Sequence, residues 1–430
     1  MELKVKNFRN IKECSFDIID NMLILVGKNG VGKSNVLEAI ENRNFTISGS
    51  NEYDDIIYIS PEISISESID FEEDSVFMQL ANILYDGESE DAKYQHLLNQ
   101  VNLVLKENDV LKGKEVQNLE NESLKKIFIK ACYELTSGFK RRLLYQFLYK
   151  IATEALDKKL IILIDSPEVY AHPSMIRSIC NELKFLSERG HLLIVSTHSA
   201  KVVETLNTDI RQVAKLTVKN NELVSYQIIL DEYIKLLHEF YRAKNIFYLP
   251  NGRVNEALVH IVKNNISSFC KSFLRENVLK ILFSDYIILG EGSSEEVLFN
   301  YMFTRIDYKI TSKFADYNID YVTGFGKFYL PFYFILANLY DVKVICMFDI
   351  DNLENKSHKA FYNAFSNYEI NNKNLFITVM LDPDLESELE IEQSKHRVEK
   401  PLHIFNEVFY KKNNVNKIVN KIEKALNILE

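Results

Sequence analysis

Gly27-Lys28-Asn29-Gly30-Val31-Gly32-Lys33-Ser34 is an eight-residue run with the residue types and spacing to hold a polyphosphate. Glycines let backbone N–H groups turn inward around the anion, and a helix that starts there adds its favourable dipole. Lys33 can reach the outer phosphates, and the Ser34 hydroxyl can ligate Mg²⁺. Gly27, Asn29, Gly30, Gly32, Lys33, Ser34 and Asn35 are the candidate nucleotide-binding residues, with ATP the expected ligand. A second set of chemistry-bearing residues lies far downstream. Gly290-Glu291-Gly292-Ser293-Ser294-Glu295 follows an apolar run, Asp349-Ile350-Asp351 follows another, and Asp382-Pro383-Asp384-Leu385-Glu386 follows a third. If these runs are parallel strands, their C-terminal ends gather on one edge and the acids converge. Close carboxylates repel unless cations neutralise them, so convergence predicts one or two Mg²⁺ or Mn²⁺ ions. Such ions are a standard means of cleaving phosphodiesters.

The elements that must position these residues are legible as hydrophobic runs. Met22–Val26 precedes the glycine loop and Asn35–Ile40 follows it, which reads as strand, loop, helix. Strand-like runs recur at Ile56–Ile59, Leu160–Ile164 and His191–Val195, with a helix near Met175–Leu186. This rhythm predicts a parallel sheet covered by helices. Val213–Val218 and Val224–Leu230, joined by Lys219-Asn220-Asn221, predict a closing hairpin. A second series begins at Tyr286–Leu289 and continues through Tyr321–Thr323, Val342–Phe348 and Leu375–Leu381. The fold class expected is α/β. An ATPase domain over 1–230 carries an acidic and helical insertion at about 61–130. A helical connector over 231–284, a second Rossmann-like parallel-sheet domain over 285–405 and a helical tail over 406–430 follow. The tail, basic and apolar at helical spacing, is expected to pack on the second domain or on a partner subunit.

Three further segments fit the phosphate loop. Asp165 ends an apolar strand and would sit near Mg²⁺. Ser137-Gly138 would cap a helix and present N–H groups to the γ-phosphate held by another copy. His198 ends the next strand, where a switch histidine would touch the same phosphate.

The opening Leu3-Lys4-Val5-Lys6-Asn7-Phe8-Arg9-Asn10, the loop ending Gly32-Lys33-Ser34-Asn35, and Asp165-Ser166-Pro167-Glu168 with His172-Pro173 resemble the ABC/SMC-like ATPase heads of the SMC/RecF/OLD branch. The resemblance implies at least a homodimer, with two heads enclosing two ATP molecules. One departure stands out: family members carry a carboxylate after the strand-ending acid, and this chain has Ser166. A serine does not act as a base at neutral pH unaided. Hydrolysis is therefore expected to be slow, or Glu168 substitutes as the base.

Glu291-Gly292 followed by Asp349-x-Asp351 resembles the Toprim domain, and a head joined to a C-terminal Toprim resembles the OLD-family nucleases over about 1–60, 130–230 and 285–402. The resemblance implies metal ligands at Glu291, Glu295, Asp349, Asp351 and Glu386. It also implies a charge-stabilising Lys400, with Glu291, Asp349 and Asp351 catalytic. Gly324-Phe325-Gly326-Lys327 either approaches a substrate phosphate or is a plain turn.

Composition sets the outer limits. No apolar run reaches the ~18 residues a membrane span needs. The five cysteines lack paired metal-ligand spacing, which excludes a zinc module and fits a cytoplasmic protein with reduced thiols. Net charge is −10, but residues 41–93 hold 14 Asp/Glu against two Lys/Arg, so the remainder is slightly basic and leaves room for a nucleic-acid track. The basic residues of the connector, from Lys235 to Lys280, either contact a nucleic-acid backbone or form a solvated helical face. A topoisomerase would need a DNA gate for which there is no room. The reading is an ATP-regulated, metal-dependent endonuclease in anti-phage defence, with DNA ahead of RNA as substrate and a second defence protein as a further partner. The alternative is a nucleotide-sensing scaffold whose Toprim is inactive or activator-dependent.

Overall fold

The computed structural model describes residues 1–49, 53–61, 76–107, 126, 137–154, 158–206, 209–241, 256–260, 275–304, 314, 317–324, 326–350, 356–393, 399–410 and 415–430. The chain forms two compact units, Met1–Ser225 and Tyr226–Glu430.

In the first unit, β1 (Glu2–Phe8), β2 (Ile11–Asp17) and β4 (Phe45–Ser48) form an antiparallel sheet in the order β2-β1-β4. Leu3 and Val5 are buried between exposed or half-buried neighbours, the alternation of a sheet with one face on a core. A six-stranded sheet holds β3 (Met22–Val26), β5 (Asp55–Ile59), β6 (Leu160–Asp165), β7 (Leu192–Ser196), β8 (Val213–Lys219) and β9 (Glu222–Gln227) in the order β5-β6-β7-β3-β8-β9. The pairs from β5 through to β8 are parallel. Every residue of β3, β6 and β7 is buried, because helices cover both faces of such a sheet. Each buried Leu, Ile or Val stabilises the unit by about 1.5–3 kcal/mol. β8 and β9 form the expected hairpin through Asn220 and Asn221, both left-handed at φ 52° and 64°, a conformation asparagine tolerates well.

His191, at the entry to β7, is buried and its Nδ1 accepts from the Leu160 amide at 3.3 Å. Only the neutral ring can accept, and burial lowers its pKa below the ordinary histidine value. The stabilisation is therefore present above the unfolded-state pKa, about 6.5, and is lost as pH falls through the depressed folded value. His191→Phe should flatten this acid limb while costing about 1–3 kcal/mol at pH 7.5 through the unpaired amide. Urea unfolding of the first unit at pH 7.5 and 5.5 reads both effects.

In the second unit β10 (Tyr286–Gly290), β11 (Ile319–Thr323), β12 (Lys343–Asp349) and β13 (Phe376–Leu381) form an all-parallel sheet ordered β11-β10-β12-β13. The helix Leu230–Phe240 packs on this unit; the hydroxyl of Tyr233 donates to Phe332 O at 2.7 Å and Tyr241 donates to Phe328 O. The C-terminal helix Asn416–Leu429 buries Ile418, Val419, Ile422, Ala425, Leu426 and Leu429 in the same core as β10, β12 and β13. Of the two places expected for the tail, the structure has it on this domain. Among the described residues no helix is long and apolar enough to cross a membrane, and Cys14, Cys180 and Cys346 are buried free thiols.

Candidate functional site

β3 delivers the chain into the glycine loop, and the helix Lys33–Glu41 leaves it. Gly27 is obligatory there: a Cβ would lie 2.6 Å from Leu216 O on β8. The strand ends and the loop enclose a cavity of about 230 Å³ lined by Gly30, Gly32, Lys33, Ser34, Asn35, Pro61, Asp165, Ser166 and His198. Residues from four separate sequence segments thus meet around one phosphate-sized space. Lys33 is buried and donates from Nζ to the carbonyls of Gly27 and Lys28, both at 2.9 Å. Burial brings its pKa down to about 8 against the pull of Asp165 and Glu168. Asn29 is exposed at the tip of the loop. Asn35 is tied to the β1–β2 turn, accepting from Arg9 at 2.7 Å and donating to Asn10 at 2.8 Å. That turn therefore braces the phosphate loop.

Asp165 is buried and accepts from the hydroxyls of Ser196 and Ser166, the latter at 3.2 Å. Ser166 adopts a left-handed φ of 53° and its carbonyl accepts from the buried Arg141 at 3.4 Å. Glu168 is not among the cavity residues; its Oε1 accepts from the His198 amide at 2.9 Å, so it holds the histidine's backbone. Burial and the nearby Lys33 lower the pKa of His198. Ser137 and Gly138 begin the helix Ser137–Glu154 and do not line this cavity.

The second cluster stands at the C-terminal edge of β10-β12-β13. Glu291, just past β10, accepts from the Asp349 amide at 3.1 Å through Oε1. Glu295 is buried in the first turn of the helix Ser293–Thr304 and accepts from Gly292 N at 3.1 Å. Burial raises its pKa to about 8, with Asp349 and Glu291 adding to the rise. Asp349 ends β12; burial raises it to about 6 despite Lys400. Its Oδ1 is buried without a hydrogen-bond partner. Glu386 is buried in the turn after β13, and Lys400 Nζ is 2.7 Å from its Oε2 and 3.7 Å from Asp349 Oδ2. Asp351 lies outside the described residues. Among the described residues, no three His, Cys, Asp or Glu side chains are grouped closely enough to hold a metal. The candidate ligands are all oxygen donors, Glu295 and Glu386 buried and Glu291 and Asp349 half-buried, and Asp349 Oδ1 has no hydrogen-bond partner.

Lys327 was legible in the sequence only as a residue near a substrate phosphate or in a turn. Its ammonium is turned inward and buried, donating to Asp349 O at 2.8 Å and Tyr362 OH at 3.1 Å, and standing 3.4 Å from Glu291 Oε1. It fixes the two acidic strand ends relative to one another. Tyr362 likewise donates to Asp349 O at 3.1 Å. No local pattern marks a tyrosine as such a partner. In the connector, Lys280 is committed to Tyr321 O at 3.1 Å, Lys235 is exposed, and the basic residues between 242 and 255 and between 261 and 274 lie outside the described residues.

The β10 edge is tightly built. The Gly290 carbonyl accepts from Gly324 N at 2.7 Å, and a Cβ on Gly290 would collide with the Tyr321 hydroxyl, which donates to Gly292 O at 3.1 Å. Gly290→Ala should destabilise the second unit by about 1–3 kcal/mol through overpacking. Adding Tyr321→Phe should recover part of that loss, and a double-mutant cycle of thermal melts measures the coupling.

The two sites correspond to two domain families. A family model described as an AAA ATPase domain matches residues 1–140, and one described as the TOPRIM domain of overcoming lysogenization defect-like proteins matches residues 282–351. The first site thus lies in a segment similar to an AAA ATPase domain and the second in or beside one similar to an OLD-like TOPRIM domain. The Old nuclease of Escherichia phage P2 is 27% identical over 168 residues, a stretch spanning 38% of this chain and 24% of that protein. The match therefore takes in about a quarter of the length of that relative. Among solved structures, an SMC head bound to the C-winged-helix domain of ScpA is 11% identical, covering 54% of this chain and 98% of that one, with a TM-score of 0.36. The SMC head domain from Thermotoga maritima is 14% identical over 53% and 98%, with a TM-score of 0.29.

Proposed function

We propose that this chain is an ATP-regulated, divalent-metal-dependent endonuclease acting on nucleic acid, DNA ahead of RNA, in cytoplasmic defence against phage or other foreign genomes. The observation that carries this reading is that acids from the ends of neighbouring parallel strands share cations: Lys400 spans Asp349 and Glu386, and Lys327 spans Glu291 and the Asp349 carbonyl. Glu291, Glu295 and Asp349 would hold Mg²⁺ or Mn²⁺, with Asp351 and Glu386 completing the expected set. A cation there supplies Lewis acidity and an activated water. The chain's own residues do the rest. Lys327 locks Glu291 against the Asp349 backbone, and Lys400 offers positive charge where the departing phosphate oxygen gathers negative charge.

In the head, Lys33 and the amides around Gly30 and Gly32 bind the phosphates, and Ser34 with Asp165 would hold Mg²⁺. The position of Ser137 and Gly138 outside their own chain's cavity supports their use in trans, across a homodimer of heads. Ser166 in place of a carboxylate supports ATP as a conformational clamp with slow turnover. The scaffold alternative, with a second defence protein as effector, draws on Lys327 and Lys400, which already neutralise part of the acidic cluster.

The test is cleavage of supercoiled plasmid and of total tRNA by the full chain. It is run with Mg²⁺ or Mn²⁺, with and without ATP, beside Asp349→Ala. Metal-dependent cutting that the variant loses supports the nuclease and names its substrate. Absence of cutting under every condition turns the assignment to the scaffold.

A further inference from the structure

The helical turn that carries Glu386 is too short to hold itself. It spans Leu385–Glu388, four residues, and a lone turn fixes several dihedrals for very few hydrogen bonds. Its start is capped by Asp384, which accepts from the Ser387 amide at 2.9 Å and from Gln393 at 2.7 Å. Its end is held by another element. Glu388, 3% exposed, accepts through Oε1 from the Asp382 amide at 3.0 Å and from Lys421 at 2.6 Å, and Lys417 stands 3.2 Å from Oε2. Both lysines belong to the C-terminal helix Asn416–Leu429. Lys421 also donates to Met380 O at 2.8 Å, so one ammonium ties the end of β13 to the far end of the turn.

Glu386 lies between these two anchors. At about 100° per residue, side chains two apart on a helical turn point to nearly opposite sides. Glu388 meets the C-terminal helix, whereas Glu386 meets Lys400, which stands 2.7 Å from its Oε2 and 3.7 Å from Asp349 Oδ2. The Glu386 main chain is fixed as well, its carbonyl accepting from Ile391 N at 3.0 Å. The turn is thus gripped from behind while it presents an acid to the strand ends. A buried carboxylate that loses its cation is left uncompensated, so the grip depends on the charge of both partners.

We propose that Glu388 and Lys421 are a positioning pair for cleavage: they lock the turn after β13 onto the C-terminal helix and thereby set the Glu386 carboxylate against Lys400 and Asp349. The proposal rests on the nuclease reading above. It makes the C-terminal helix a working part of the acidic edge as well as of the core beneath it.

The test compares the full native chain with Glu388→Gln, Lys421→Met, Lys421→Arg and Lys424→Met, the last altering an exposed lysine of the same helix. Thermal melts set a temperature at which all are folded. Hydrogen exchange of the segment 382–391 is then read beside steady-state cleavage of the nucleic acid that the native chain cuts. Glu388→Gln and Lys421→Met should speed exchange in that segment and lower kcat by roughly 10²-fold, the scale of a small misplacement in a reacting constellation, with KM little changed. Lys421→Arg, which keeps the charge and the reach, and Lys424→Met should match the native chain in both readouts. Unchanged exchange in Glu388→Gln and Lys421→Met overturns the proposal whether or not the chain cuts. Faster exchange with a native kcat, or a Lys421→Arg as slow as Lys421→Met, also overturns it and leaves the nuclease reading standing. A native chain that cuts nothing under any condition overturns the nuclease reading, and the role of the pair with it.

Discussion

Asp349→Asn should reduce metal-dependent cleavage by roughly 10³-fold, the scale of the several kcal/mol that a bound cation contributes to a phosphoryl transition state. Nucleotide binding should be unchanged. The substitution is nearly isosteric, and the groups that fix the end of β12 engage the Asp349 main chain: its amide donates to Glu291, and its carbonyl accepts from Lys327 and Tyr362. The backbone therefore stays in place while the carboxylate is lost. Loss of Oδ1 charge removes a buried ligand for a cation, and the amide nitrogen that replaces one oxygen faces either that cation or Lys400. Cleavage assays with a fluorescent duplex and equilibrium binding of a labelled ATP analogue separate the two outcomes. A variant that still cuts within tenfold of the native rate would remove Asp349 from the reaction.

Ser166→Glu should act in the opposite direction, raising ATP turnover by about 10²-fold, the lower end of what a positioned general base contributes. Ser166 lines the nucleotide cavity directly after Asp165, and its hydroxyl is spent on Asp165 at 3.2 Å. Glu168 Oε1 is engaged with the His198 amide, Oε2 is buried without a partner, and the residue lies off the cavity lining. The left-handed φ of 53° tolerates glutamate at a cost of about 1–2 kcal/mol. Steady-state phosphate release by the two proteins measures the gain. Ser166→Gln should bind ATP without the acceleration, since it has the size of glutamate and no basic oxygen. Equal rates in all three proteins would mean that the attacking water is oriented from elsewhere.

The parts of this molecule that sequence exposes are those whose chemistry is local. The glycine loop is contiguous, so Lys33 and Ser34 were legible at once, and the parallel strands of the two larger sheets announce themselves as apolar runs, among them those ending in Asp165, Gly290 and Asp349. Lys327 resisted for the opposite reason. A Gly-x-Gly-Lys turn says nothing about which way the lysine points, and its partners, Glu291, Asp349 and Tyr362, are 36, 22 and 35 residues away in the chain. Arg141 was visible only as part of a basic run after the Ser-Gly pair; its burial against Ser166 depends on the helix Ser137–Glu154 crossing a strand end that the sequence places much later. Glu168 illustrates a third case. Its residue type suits a base, and only coordinates show that Oε1 accepts the His198 amide while Oε2 is buried without a partner.

The burial of Asn416–Leu429 among the strands of the second sheet has a consequence for synthesis. The first unit ends at Ser225, so every strand of its central sheet needed to fold has been made, apart from the last residues of the edge hairpin, long before the ribosome reaches Asn416. Domains tend to fold as units in the order of translation. The acidic edge, by contrast, rests on a core that stays open until that final helix arrives, and Lys417 and Lys421 then clamp Glu388, two residues past Glu386, at 3.2 and 2.6 Å. The phosphate loop of a nascent chain would therefore be in place before the acidic edge of the second sheet.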